Sequence, residues 1–293
     1  MISSPIASLR SSPDLRAVHA SLPSTLAAIT QQGRQEVPVS EIAVSNRLWA
    51  WLPSVQRERL MQQAQWVTLN RGTTLMHAAQ ACKHVYLPCS ATVGLILRTT
   101  SGKSCQVGLI GNDGMVGVNG IVGGQRIPCE AVVRTPGTAL RIAVNALADE
   151  FAPGSTGAEL FTRYSHVLMV QMAYAAVCCR HHSVEQRTCR LLLQTFDATG
   201  GDVFLTHEVM AECLGVRRES VSEVASRLHQ AGEISYSRGR IAINKLAALH
   251  ARSCECYAAV KSELASMLDE EPFERAQGPV RAPRSSHAWM GAN

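Results

Sequence analysis

Residues 206–243 constrain the fold of this chain more than any other stretch. Thr206 can cap a helix, because its hydroxyl can accept a hydrogen bond from the first turn, and Gly215 interrupts the pattern that follows. Apolar residues then recur at spacings of three and four, at Val221, Val224 or Ala225, and Leu228. They predict a second helix over residues 218–230, which Gly232 would end in a left-handed conformation.

A short hairpin is predicted directly after these two helices. Residues 234–236 and 241–243 have the pattern of two short strands, and Arg238 and Gly239 lie between them. This dipeptide suits a tight turn, because glycine readily adopts a positive φ angle. Two helices joined at a glycine and followed by a hairpin form a winged helix-turn-helix.

The exposed side of the second predicted helix carries groups that fit a DNA groove. They cluster at its N-terminus and are Arg217, Arg218, Glu219, Ser222 and Glu223. In helix-turn-helix proteins this end enters the major groove, where arginine can bridge guanine O6 and N7 and glutamate can accept from cytosine N4. The alternative is a solvated, charged helix start that packs on another helix. The turn glycine, the two helices and the basic wing occur together, which favours double-stranded DNA as the partner.

Longer runs of sequence resemble one family. The run GVRRESVSEVASRLHQAGEI and the following ISYSRGRIAI resemble the Crp/Fnr family of bacterial transcription regulators. The run RHHSVEQRTCRLLLQTFD resembles the segment that joins the family's dimer helix to its DNA-binding domain. The sensor β-roll of the family is similar to HVYLPCSATVGLILRTTSGKSCQVGLIGNDGMVGV. The resemblance covers residues 46–268.

The resemblance implies roles for individual residues of the motif. Arg218 and Glu219 match the family's base-reading arginine and glutamate. Glu223 stands where the family has its second reading arginine, so the family's best-known half-site cannot be carried over. Phosphate contacts are expected from Thr206, Ser220, Arg238 and Arg240.

Short strands and glycine-rich turns dominate the region before the long helix. Residues 46–65 predict short helices, and the next residues alternate as strands. We expect one hairpin from residues 92–98 and 103–110 around Ser101 and Gly102, and a second from residues 131–134 and 138–144 around Pro136 and Gly137. Such a pattern indicates an antiparallel roll or barrel, and the resemblance implies a roll of the cyclic-nucleotide-binding type.

Cyclic nucleotide binding is doubtful on the residues present. Ligand-binding members of the family use a Gly-Glu-Leu segment for the ribose, followed by an arginine and a serine or threonine for the phosphate. Here Gly114 to Gly117 contain no glutamate, and Ile127 and Pro128 follow Arg126. Arg126 is therefore a weak candidate for a ligand contact and more simply a surface arginine. We expect no bound cofactor.

A long helix is predicted from residue 151 to about residue 176. Its apolar stripe comprises Phe161, Tyr164, Leu168, Met172, Ala175 and Cys179, with Leu160, Val167 and Tyr174 on a neighbouring line. The stripe can pack on the roll, on a partner subunit, or on both. The resemblance implies that this helix forms the interface of a homodimer.

Ten cysteines raise the question of a metal or redox site. The densest group comprises Cys178, Cys179, His181, His182 and Cys189, but it lacks the CxxC spacing that is typical of metal sites. Cys254 and Cys256 fall within a helix predicted over residues 245–268, where side chains two apart point about 200° from one another and cannot chelate one ion. We therefore expect reduced, partly buried thiols and no metal site.

The remaining features bound the class of protein. The formal net charge of +5 permits nucleic-acid binding. Because the sequence has no unbroken apolar run, we expect neither a signal peptide nor a membrane span. We find no Ser-His-Asp set and no phosphate loop, so no enzyme activity is expected. A cytoplasmic location follows from this set of features. RNA polymerase is a candidate partner if the protein is an activator, although no residue pattern identifies the contact surface.

We therefore predict an α+β protein with an N-terminal antiparallel β-roll, a long dimerisation helix and a C-terminal winged helix-turn-helix. The expected parts are a flexible extension (1–45), a sensor-like roll (46–150), the dimerisation helix and hinge (151–182), the DNA-binding domain (183–268) and a disordered tail (269–293). Its predicted function is sequence-specific regulation of transcription at a near-palindromic operator, with a degenerate sensor. The alternative is a small-ligand or thiol-redox sensor that acts mainly through protein contacts.

Overall fold

The structure is a computed structural model that describes residues 45–121, 126–201, 203–237 and 239–269. Most of the predicted N-terminal extension and C-terminal tail, and Arg238 of the wing, lie outside the described residues. Two short helices begin the described chain, α1 (Arg47–Trp51) and α2 (Ser54–Met61), as predicted. Asn46 caps α1 by accepting from Trp49 N at 3.0 Å, and its amide donates to Pro88 O and Gly114 O at 2.8 and 3.0 Å. This buried side chain fixes the helices against the roll.

The roll consists of two antiparallel sheets. Their strands are β1 (Gln65–Leu69), β2 (Thr74–Met76), β3 (His84–Pro88), β4 (Thr92–Arg98), β5 (Ser104–Ile110), β6 (Cys129–Thr135) and β7 (Gly137–Ala143). One sheet has the order β1-β7-β3 and the other β2-β6-β4-β5. The predicted hairpin around Gly102 is confirmed as β4–β5, with Leu97 opposite Cys105. A short helix, α3 (Val118–Ile121), lies between β5 and β6.

The second predicted hairpin is wrong. Strands β6 and β7 follow one another around Pro136 but belong to different sheets, where β6 pairs with β2 and β4 and β7 pairs with β1 and β3. The chain therefore crosses from one sheet to the other at this point. The inner faces of both sheets then meet in an apolar core that includes Val93, Ile110 and Val133.

Helix α4 (Thr156–His181) leads out of the roll. It begins at Thr156 and not at residue 151, because Ser155 caps it by accepting from Ala158 N at 3.1 Å. Gln171 holds it on β5, with its side-chain amide bonded to both the N–H and the carbonyl of Leu109 at 3.1 Å. Since β5 is an edge strand, these bonds satisfy backbone groups that the sheet leaves unpaired.

The C-terminal part consists of helices around a small hairpin. They are α5 (Val184–Thr199), α6 (His207–Leu214), α7 (Arg218–Gln230), β8 (Ile234–Ser237), β9 (Arg240–Ile243), α8 (Leu246–Arg252) and α9 (Cys256–Asp269). The predicted single helix over residues 245–268 is wrong, because the chain leaves helical geometry at Ser253 between α8 and α9. No helix in the described ranges has both the length and the apolar character needed to cross a membrane.

Candidate nucleic-acid interface

Helix α6 and the turn after it have the geometry expected from their sequence. Thr206 caps α6 by accepting from Val209 N at 3.3 Å. Gly215 adopts a φ angle of 63°, a left-handed conformation that a side chain would disfavour, and its N–H bonds back to carbonyls of α6. The turn therefore fixes the angle at which α7 leaves α6.

Helix α7 buries one face and exposes its N-terminus. Val221, Val224, Ala225 and Leu228 lie in the core that α5, α6 and the hairpin share. Arg217, Arg218 and Glu219 are all exposed. The nearest acid to Arg218 is Glu208, at 3.9 Å, and both side chains are largely in solvent, so this contact holds the arginine weakly. The start of α7 thus presents two arginines and a glutamate to solvent.

Two other predicted base readers are engaged within the domain. Ser222 Oγ lies 3.0 Å from His207 Nδ1, and burial, together with the positive charge of Arg218, lowers the pKa of His207. Glu223 Oε1 accepts from Arg227 at 2.8 Å. Both bonds orient side chains that lie outside the buried face of α7.

An ion network that the sequence did not reveal holds α7 in place. Arg227 also contacts Glu185 of α5 at 3.0 Å, and Glu185 contacts Arg252 of α8 at 2.7 Å. Arg252 in turn contacts buried Glu233 at 2.9 Å. Hydrogen bonds from Arg252 and then Arg227 lower the pKa of Glu185 and so favour its charged form. Arg227 and Arg252 are therefore engaged in ion pairs within the domain and are poor candidates for DNA contacts.

The predicted wing is present. Strands β8 and β9 pair antiparallel with Ser237 opposite Arg240, and Gly239 in the turn has a φ angle of 79°. Arg240 is exposed and its guanidinium lies 6.0 Å from the ring centre of Phe204. Thr206 and Ser220 are half-buried beside this surface.

Two family models match the chain. Residues 66–152 match the cyclic nucleotide-binding domain, and residues 186–252 match the Crp-like helix-turn-helix domain. This succession of a cyclic nucleotide-binding domain and a Crp-like helix-turn-helix characterises Crp/Fnr transcription regulators. The chain belongs to the Crp/Fnr family. As a Crp/Fnr regulator, it has a DNA-binding helix-turn-helix and a sensor-type roll, and the expected fold class is confirmed.

Solved structures show the same fold at low sequence identity. FixK2 from Bradyrhizobium japonicum aligns with a TM-score of 0.57 and 14% identity over 65% of this chain and 98% of its own. A Crp/Fnr regulator from Eubacterium rectale aligns with a TM-score of 0.55 and 16% identity, over 70% of this chain and 96% of its own. The c-di-GMP-responsive regulator CLP from Xanthomonas campestris aligns with a TM-score of 0.52 and 16% identity, over 65% of this chain and 99% of its own. No curated protein matches the chain significantly in sequence.

In this Crp/Fnr chain, the DNA-binding domain contacts the roll directly. Arg134 of β6 is buried and donates to Glu212 of α6 at 2.8 Å. Arg98 lies 3.8 Å from the same carboxylate, and Cys213 Sγ lies 3.2 Å from Gln106 Oε1. These contacts join strands β4, β5 and β6 of the roll to α6, the helix that precedes α7.

In the described part of the roll, the segment from Gly114 to Gly117 has apolar side chains. Met115 and Val116 of this segment are 3% and 1% exposed and belong to apolar clusters. The carbonyl oxygen of Gly114 accepts a hydrogen bond from the side-chain amide of Asn46. Arg126 is exposed to solvent.

The outward side of α4 differs from the stripe that was predicted for it. Leu160, Tyr164 and Val167 of the predicted stripe are buried within the same chain. A second stripe stays exposed and recurs every three or four residues, at Thr162, His166, Met169, Ala173, Ala176 and Arg180. Met169 is 63% exposed and Val177, which flanks the stripe, 46%. This spacing is that of a coiled-coil seam.

Proposed function

We propose that this Crp/Fnr regulator binds a near-palindromic operator as a homodimer and reads base edges with the first turn of α7. The observation that supports this most strongly is the exposure of Arg217, Arg218 and Glu219 on a helix whose other face is buried. Arg218 and Glu219 are the direct readers. Thr206, Ser220, Arg240 and Arg238 supply phosphate contacts, and Ser222 and Glu223 border the groove.

The exposed stripe of α4 supports the dimer. Met169 and Ala176 are exposed one heptad apart, with Ala173 between them, and this arrangement suits close packing against a second helix. If two copies of α4 pack along this stripe, the α7 helices of both subunits are held in one particle. They would meet successive major grooves about 34 Å apart on one face of the duplex.

The roll is degenerate as a cyclic nucleotide sensor. Burying a ribose and a cyclic phosphate without partners costs several kcal/mol. Neither Gly114 to Gly117 nor the residues that follow Arg126 supply the glutamate and the hydroxyl that the family's ligand-binding members use. Met115 and Val116 are apolar, and Arg126 faces solvent. We therefore infer that the Crp/Fnr regulator binds DNA without cyclic AMP. The same proposal places it in the cytoplasm with no catalytic role, and RNA polymerase is its partner if it activates transcription.

Arg218→Ala will weaken binding to the cognate operator by about 1–3 kcal/mol, or roughly 5- to 150-fold. The loss arises because a bidentate contact to guanine is removed. Fluorescence anisotropy at fixed salt, on the cognate duplex and on a scrambled duplex, measures both affinities. The preferred sequence should also relax at one position of each half-site.

Arg240→Ala is the matched control, because it removes an exposed arginine of the wing. It should weaken cognate and scrambled duplexes alike and reduce the slope of log K against log salt by about 0.9 for each phosphate that is no longer neutralised. An equal loss on both duplexes for Arg218→Ala would contradict its assignment as a base reader.

A further inference from the structure

Four potential ligands meet where α4 ends and the DNA-binding domain begins. Cys178, His182, Cys254 and Cys256 each offer one ligand atom, and these atoms all lie within 4.8 Å of one another. Cys178 and His182 are four residues apart at the end of α4 and so share one side of it. Cys254 lies between α8 and α9, and Cys256 is the first residue of α9. Because the chain is not helical at Cys254, the expectation that these two cysteines point apart does not hold.

We propose that these residues form a Cys3His site for a zinc ion at the hinge between α4 and α5. With Zn–S near 2.3 Å and Zn–N near 2.0 Å, a tetrahedral site places two sulfurs about 3.8 Å apart and a sulfur and a nitrogen about 3.6 Å apart. Cys178 Sγ lies 3.6 Å from Cys254 Sγ, and Cys256 Sγ lies 3.6 Å from His182 Nδ1. These two spacings therefore match a tetrahedral zinc site, and the other ligand pairs lie within 4.8 Å, so small side-chain movements would close the site around an ion.

The surroundings match those of a structural zinc site. The three cysteines are 1–3% exposed and form a cluster of their own, which is the closed environment of such sites. His182 directs Nδ1 at the cluster and places Nε2 3.2 Å from Glu255 Oε1. A zinc-bound histidine characteristically donates its other ring N–H to a carboxylate, which orients the ring and strengthens the ligand.

The charge balance is also favourable. Three thiolates and one Zn²⁺ leave a net charge of −1, and Arg190 of α5 lies close enough to offset it. Soft thiolates and an imidazole in tetrahedral arrangement select Zn²⁺ over Mg²⁺ or Ca²⁺.

The site would join two parts of the chain that are far apart in sequence. One pair of ligands ends the helix that leaves the roll, and His182 directly precedes Ser183, which caps α5. The other pair begins α9, which packs back along α4. A bound ion would thus fix the direction in which α5 leaves α4, and with it the position of the helix-turn-helix.

Metal content of the untagged full-length protein tests the proposal without reference to DNA. After purification under reducing conditions and exchange against a mild chelator, elemental analysis should give about one zinc ion per chain. Zinc K-edge absorption should show sulfur scatterers near 2.3 Å and a nitrogen scatterer near 2.0 Å. His182→Ala and Cys254→Ser should each lose most of the zinc.

The neighbouring residues provide matched controls. His181→Ala and Cys179→Ser remove the same chemical groups from exposed positions next to the ligands and should retain about one zinc ion. If a ligand variant does not fold, the metal-free wild-type protein is titrated with Co²⁺, and thiolate-to-cobalt charge-transfer absorption is expected. Zinc content that is equal in His181→Ala and His182→Ala would overturn the site. So would a wild-type protein that binds neither metal, or one in which Cys178 and Cys254 form a disulfide and no ion is held.

Discussion

Met169→Glu combined with Ala176→Glu will turn the protein into a monomer and weaken its binding to an operator with two half-sites by roughly 10²- to 10⁴-fold. The two positions lie one heptad apart on the exposed stripe of α4. In a symmetric pair of helices each glutamate would face or neighbour its own copy, so like charges would be brought together in a seam that excludes water. In a dimer, binding of one subunit to its half-site raises the effective concentration of the other subunit at the second half-site. A monomer loses this gain in affinity.

Sedimentation equilibrium measures the mass of the particle, and anisotropy on duplexes with one or two half-sites measures the loss of linkage. Val55→Glu is the control, because Val55 is a valine that is 60% exposed on α2, away from the stripe. It should remain dimeric with unchanged affinity. A double variant that stays dimeric, or that binds two half-sites as tightly as the wild type, would contradict the proposed interface.

Leu228→Ala will destabilise the DNA-binding domain by about 2–5 kcal/mol. Leu228 is 1% exposed and packs in the core that α7 shares with α5, α6 and the hairpin, so its truncation removes apolar packing and leaves a cavity. Hydrogen exchange of the α7 amides reports the free energy of opening for this domain separately from that of the roll. DNA affinity should fall as the open form becomes populated.

Leu246→Ala is the matched substitution for this effect. Leu246 lies in the same domain at the start of α8 but is 40% exposed. Its truncation should change the free energy of opening by no more than about 0.5 kcal/mol. A cost below about 1 kcal/mol for Leu228→Ala would show that α7 does not depend on this core.

The helix-turn-helix could be predicted from sequence because its signals are local. Thr206, Gly215 and Gly232 each mark a boundary by their own backbone preferences, and the structure places helix ends at all three. The same holds for the β4–β5 hairpin, where Gly102 takes a φ angle of 83°. Local chemistry decides these elements, so no distant part of the chain is needed to predict them.

Long-range pairing decides what the sequence did not predict. Strands β6 and β7 are neighbours in the chain, yet they belong to different sheets, because β6 pairs with β4 and β7 pairs with β3. The partnership of Arg134 with Glu212 joins residues of two domains. Cys178 and Cys254 likewise lie close together because α9 packs against α4. Neither the spacing of Cys178 and His182 nor that of Cys254 and Cys256 has by itself the form of a metal motif.

The helix α4 shows why an apolar pattern alone does not identify an interface. Its widest apolar stripe packs within the chain, through Tyr164 on the backbone of Met115 and through Val167 in the core. The side left for a partner is less apolar and includes alanine and histidine. Sequence periodicity gives the faces of a helix, but which face is already covered depends on the roll and on α9.

Selection of bound sequences from a random duplex pool, with purified full-length protein at near-physiological salt, tests the central claim most directly. We expect a two-fold symmetric motif, with half-sites centred about one helical turn apart, to be enriched without any added cyclic nucleotide. Parallel selections with cyclic nucleotides should give the same motif at the same strength. Enrichment only in the presence of one cyclic nucleotide would contradict the degenerate sensor, and no motif under any of these conditions would contradict sequence-specific regulation.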